Sequence, residues 1–147
     1  MAQRYRFSLQ KLLEIREEKE EESKRLFNET KNRKIATENE LKELRELYEN
    51  YKGIKPGETV IYQKIKRQYL KALEFGIKEK EKELELREKE LEQRRLDLKE
   101  KQIERKTVSK LKEKQYESYQ KEQNRIEQLN NDEFALYGYM RNLKGGE

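Results

Sequence analysis

Two kinds of side chain in this sequence could do chemistry: carboxylates, and amines or guanidinium groups. There are 31 Asp and Glu against 36 Lys and Arg, with no His and no Cys. Paired carboxylates perform general acid–base work only where burial or a neighbouring charge moves a pKa and a concave site excludes water. Here acids and bases alternate along the chain, as they do on solvated helix faces, so ordinary pKa values are expected. The lack of His and Cys removes disulfides, thiolate nucleophiles, imidazole bases and most transition-metal ligands. No phosphate-binding glycine loop, dinucleotide fingerprint or nucleophile–base pair is present. The sequence therefore predicts no catalytic residue, no cofactor and no metal site, and enzyme is the class it argues against most firmly. The basic clusters Lys64-Ile65-Lys66-Arg67 and Lys110-Leu111-Lys112-Glu113-Lys114, with an isoelectric point near 9.2, raise phosphate binding. Interleaved acids leave no single-sign face for it. No nucleic-acid partner is expected, and an RNA-binding helical hairpin stays as an alternative.

The elements that would position these groups follow from composition. Charged residues are 46% of the 147-residue chain and the hydrophobic set 32%. Ordinary domains have about 25% and 45–50%. A thick globular core is excluded, leaving a long helical protein or a disordered polyampholyte. No apolar run approaches the roughly 18–20 residues that span a bilayer. The basic opening, Met1 to Arg6, is not followed by the apolar run of a signal peptide, so neither export nor insertion of the chain is expected.

Helix breakers are few. Pro56, the only proline, lies in Gly53-Ile54-Lys55-Pro56-Gly57, which reads as a turn. It divides one elongated domain into a helix over 4–52, a turn over 53–58, a helix over 59–137 and a frayed end over 138–147. Gly76 reads as tolerated mid-helix. The helices would be about 75 Å and 120 Å long. In the first, a 4-3 ladder runs Leu9, Leu13, Arg16, Glu20, Ser23, Phe27, Thr30, Lys34, Thr37, Leu41, Leu44, Tyr48, Tyr51, apolar at its ends and polar between. In the second, Leu70, Ile77, Leu84, Leu91 and Leu98 fall seven apart, beside the largely basic Leu73, Lys80, Arg87, Arg94, Lys101, Val108. This is a coiled-coil seam, weaker than a leucine zipper. Acids standing four residues before bases favour helix over disorder: Glu20–Lys24, Glu29–Arg33, Glu38–Lys42, Glu83–Arg87, Glu85–Lys89 and Glu90–Arg94. The predicted fold is all-α: an antiparallel two-helix coiled-coil hairpin with an extended second helix. The first helix pairs with roughly 59–107. The remainder, about 108–140, is left with apolar residues and no partner within the chain. At the turn, Tyr48, Tyr51, Ile61, Tyr62, Ile65, Tyr69 and Leu73 either pack together or face outward as a docking patch.

The opening Tyr5-Arg6-Phe7-Ser8-Leu9-Gln10-Lys11-Leu12-Leu13-Glu14-Ile15-Arg16 resembles the start of the bacterial flagellar export protein family FliJ. Leu111-Lys112-Glu113-Lys114, then Tyr116, Tyr119, Glu122, Glu127-Gln128 and Asp132-Glu133-Phe134-Ala135, resemble its C-terminal pattern. The match spans the chain, and its two ends carry the specificity. The resemblance implies a non-catalytic, stalk-like cytosolic component of flagellar type III protein export, associated with the inner face of the cell membrane. The partners it implies are the hexameric export ATPase and the cytoplasmic domain of the membrane export gate, with export chaperones as a third class. On that basis Phe7, Leu9, Leu12, Leu13, Val108, Leu111, Tyr116, Tyr119, Ile126, Leu129 and Phe134 are assigned to the ATPase ring. Leu41, Leu44, Tyr48, Tyr62, Ile65, Tyr69 and Leu73 are assigned to the export gate. The competing reading is a coiled-coil scaffold or adaptor unrelated to export. The polar seam at Arg16, Glu20 and Ser23 departs from what a stiff shaft would need.

Overall fold

The computed structural model describes residues 4–145. Residues 1–3 and 146–147 lie outside the described part, and with them the first half of the basic opening and Gly146 of the expected frayed end. Helix α1 spans Gln10–Tyr51 and helix α2 spans Val60–Lys144. They pack antiparallel as a helical hairpin. Partners of α1 fall in number along α2 as α1 advances: Arg16 meets Glu104, Ser23 meets Asp97, Tyr48 meets Glu74 and Tyr51 meets Tyr69.

The 4-3 ladder from Leu13 to Tyr48 is the buried seam of α1, while its end members Leu9 and Tyr51 are exposed. Leu13, Ser23, Thr30, Thr37 and Leu41 are buried, and Arg16, Glu20, Phe27, Lys34, Leu44 and Tyr48 are half-buried. In α2, Leu73 and Val108 are buried, and Leu70, Ile77, Leu84, Leu91 and Leu98 half-buried. Arg94 alone of the companion series is exposed. The polar middle of the seam satisfies itself. The Thr30 and Thr37 hydroxyls donate to the carbonyls of Leu26 and Arg33, 2.8 and 3.1 Å away. The Ser23 hydroxyl donates to Asp97 Oδ2 at 3.2 Å, and the Arg16 guanidinium reaches the Glu104 carbonyl at 2.8 Å. Small buried hydroxyls thus let the helices meet without leaving orphaned polar atoms.

Several expectations shift. α1 begins at Gln10 rather than near 4. Continued helix would put Arg6 on the seam, four residues ahead of Gln10. Leaving the helix puts Phe7 there instead, with Gln10 N donating to the Phe7 carbonyl at 3.1 Å. The non-helical lead also changes the pairing. Extended chain advances about 3.3 Å per residue against about 1.5 Å for helix. Residues 4–9 therefore reach as far along α2 as Tyr119, and the stretch from Val108 to Tyr119 has partners within the chain. At the other end, α2 continues to Lys144 and passes through Gly138. Its last turn carries Arg141 and Lys144, which complement the negative helix terminus. Gly76 is mid-helix as expected. Of the acid–base pairs, Glu83–Arg87 and Glu85–Lys89 form, at 3.7 and 3.6 Å. Glu29, Glu38 and Glu90 instead meet the preceding bases Arg25, Lys34 and Arg87.

Two compact units make up the chain, one of residues 1–18 with 103–147 and one of 19–102.

Candidate functional site

In the first unit Phe7, Leu13 and Val108 form a small core, with Tyr5 and Leu12 packed on it. The Tyr5 ring meets Tyr116 edge-on at 5.1 Å and Tyr119 at 5.3 Å, and its hydroxyl donates to the Lys112 carbonyl at 3.3 Å. Lys112 Nζ donates to Gln10 Oε1 at 2.7 Å. Among the residues expected at the ATPase ring, Phe7, Leu13 and Val108 are therefore enclosed by their own hairpin. Leu12 and Tyr119 are partly so, and Leu9, Leu111 and Tyr116 are exposed. Beyond Tyr119 every residue to Gly145 is exposed except the half-buried Gln123 and Gly138. Ile126, Leu129 and Phe134 lie there, the last 72% exposed, together with Tyr137, Tyr139, Met140 and Leu143.

In the second unit the turn is fixed by two glycines at positive φ, Gly53 (83°) and Gly57 (88°), a backbone region open to glycine at little cost. Thr59 caps α2, its hydroxyl accepting from Tyr62 N at 3.2 Å. Lys66 is only 7% exposed. Its ammonium donates to the Gly53 carbonyl at 2.7 Å and to Glu58 Oε1 at 2.8 Å. That hydrogen bond, chiefly, holds the Glu58 carboxyl below the usual carboxylate range, with Lys55 adding to it. Glu58 Oε2 is buried and has no hydrogen-bond partner.

The residues assigned to the gate divide. Leu41 and Leu73 are buried, while Leu44 and Tyr48 are half-buried. The Tyr48 hydroxyl donates to Glu74 at 3.1 Å, which raises its pKa. Tyr69 stands edge-on to Tyr51 at 5.5 Å. Tyr62 and Ile65 are exposed, and so are Ile61, named for the turn patch but not assigned to the gate, and Ile54 and Val60, which the sequence reading did not single out. Lys66 was also missed. The signal was there: counting back from Ile77, Leu73 and Leu70 in heptad steps lands on position 66, so a lysine was due to be buried.

The concave surfaces of this unit are open grooves lined mostly by charged side chains, such as Arg33, Glu90, Arg94 and Glu100. Among the described residues there is no group of three or more potential metal-ligating side chains placed to hold an ion. No described helix is long and apolar enough to cross a membrane.

The described residues form an all-α helical hairpin with exposed apolar side chains at its turn and along the last part of α2. The chain belongs to the FliJ family: the model described as Flagellar FliJ protein matches residues 5–144. The family is a non-catalytic component associated with flagellar type III export. Searches of curated proteins and of solved structures gave no match.

Proposed function

We propose that this chain links the hexameric flagellar export ATPase to the cytoplasmic domain of the membrane export gate, at the inner face of the cell membrane, and so assists export of flagellar substrates. Export chaperones are further partners in this reading. The ATPase contact lies on the overhang of α2 and the adjoining exposed residues Leu9, Leu111 and Tyr116. The gate contact lies on the turn end, through Tyr62, Ile65 and Tyr69. The enclosed Phe7, Leu13, Val108, Leu41 and Leu73 hold these surfaces in place. A binding, not catalytic, role is part of the proposal.

One observation carries it. α2 runs on past Tyr119 with Ile126, Leu129 and Phe134 exposed. A single amphipathic helix gains most of its stability from packing its apolar side chains. A helix that keeps large ones in water therefore suits a partner.

Truncation after Gln120 tests this without disturbing the Tyr5–Tyr116–Tyr119 cluster. The shortened chain is expected to melt with the hairpin intact and to lose most of its affinity for the hexameric ATPase in fluorescence anisotropy. Full affinity in a folded truncation rejects the assignment.

A further inference from the structure

The distribution of charge singles out the turn end. From Tyr51 to Ala72 the chain has six basic residues, Lys52, Lys55, Lys64, Lys66, Arg67 and Lys71, and one acid, Glu58. That stretch holds a net charge of +5, equal to the +5 of the whole chain, so all other residues together are neutral. Glu58 is taken by Lys66 and Lys52 pairs with Glu49 at 2.7 Å. Lys64, Arg67 and Lys71 are exposed and, among the described residues, join no ion pair.

Helical spacing places these three with an apolar strip. Lys66, which reaches back into the turn, and the covered Leu70 and Leu73 mark the inward side of α2. At about 100° per residue, Ile61 and Phe75 then lie on the side of α2 turned away from α1, and Ile65 continues the strip onto the adjoining flank. All three are strongly exposed, Ile61 at 73%. Lys64, Arg67 and Lys71 flank one edge of that strip, and Tyr62 and Tyr69 flank the other. Ile54, in the turn itself, is 77% exposed.

We infer that the turn and the first turns of α2 form a surface for an anionic lipid bilayer. Aliphatic side chains enter the boundary between headgroups and acyl chains, tyrosines sit at headgroup level, and long basic side chains reach lipid phosphates. A nucleic acid would use the basic edge and leave the aliphatic strip in water. The combination of exposed isoleucines beside unpaired bases fits a lipid surface better than phosphate alone. The inference goes beyond the protein partners proposed above and needs neither of them.

Co-sedimentation of the full chain with vesicles decides it. The chain is expected to bind vesicles of phosphatidylglycerol mixed with phosphatidylcholine, to ignore pure phosphatidylcholine, and to be released by salt. Replacing Lys64, Arg67 and Lys71 together by Gln is expected to weaken binding about a hundredfold, from about fivefold per residue. Ile61→Ser with Ile65→Ser is expected to cost more than about tenfold while leaving helicity unchanged, because both side chains are exposed. No retention on phosphatidylglycerol vesicles by folded protein overturns the inference, as does equal retention of both variants. Binding to an isolated gate domain without any vesicle binding also overturns it, and leaves the proposed gate contact standing.

Discussion

Where its ends meet, the hairpin is closed by apolar and aromatic packing. Where the chain turns back, it is closed by a buried ammonium. The first closure joins residues more than a hundred positions apart: Tyr5 to Lys112, Phe7 to Val108. The second joins Lys66, near the start of α2, to Gly53 and Glu58 of the adjoining turn. The entropy of closing a loop grows slowly with its length, but contacts of long range form only after the intervening chain is ordered. The terminal cluster therefore depends on a hairpin already made, while the turn is held by local chemistry. Terminal order needs an unusual concentration of apolar residues to persist, and the sequence supplies it in Tyr5, Phe7, Leu12 and Leu13.

Removing the ring that anchors the lead gives the largest effect expected. Phe7→Ala leaves a void between Leu13 and Val108, and losses of this type run about 3–5 kcal/mol. The low end, about 3 kcal/mol, suits a site at the edge of a small core. Hydrogen exchange is expected to show faster opening of α1 around Leu12 and of α2 near Val108. Protection around Leu41 and Leu73 should be kept. If the whole chain loses protection evenly, the two closures are not separable as described.

The turn breaks by different means. Lys66→Met keeps length and apolar bulk but takes the ammonium away from the Gly53 carbonyl and from the Glu58 carboxylate, which keeps only its backbone hydrogen bond from Lys55. A fall of about 5 °C in thermal midpoint is expected. Acid should act in the same place. Because the Glu58 pKa is depressed in the folded chain, its contribution is present above the ordinary carboxylate pKa and is lost as pH falls through the lower folded value. The midpoint should thus hold steady at neutral pH and decline below about pH 4. Glu22, Glu83 and Glu122 are also depressed, by Arg25, Lys80 and Arg125, so some acid sensitivity remains in any variant. Lys66→Met should remove only the share owed to the turn. Identical acid profiles for the two proteins would count against the latch.

Heptad arithmetic made most of the hairpin legible in advance. The ladder from Leu13 to Tyr48 is the buried face of α1, even where its members are Arg16, Ser23 and Thr30. Period, not residue type, carried that information, because facing positions repeat whatever side chain occupies them. Ends were less legible. A helix stops where a competing arrangement buries more, and the gain from seating Phe7 rather than Arg6 depends on Val108, far away in sequence. Which apolar residues are enclosed was also hidden. Leu73 and Phe75 look alike in the sequence, and they are seen to stand on opposite sides of α2 only once Lys66 is known to face inward. The terminal surface was legible in its overhang, Ile126 to Phe134, and less so in the part covered by residues 4–9.

A smaller effect sharpens the contrast from the side of the seam. Gly76 lies in α2 where Leu44 approaches, and a β-carbon there would sit 3.8 Å from Leu44 Cδ1, an ordinary contact. Its helical backbone suits any residue, unlike that of Gly53 and Gly57. Gly76→Ala removes backbone freedom from the unfolded chain and adds a methyl to a half-buried position, so a gain of about 1 kcal/mol is expected. The same change at Gly57 should destabilise, since its φ of 88° strains an L side chain although nothing blocks the space. Thermal melts of the two alanine variants should therefore move in opposite directions. If Gly76→Ala lowers the midpoint, the helices are closer at Leu44 than described, and the apolar turn-side end of the seam is packed as tightly as the terminal core.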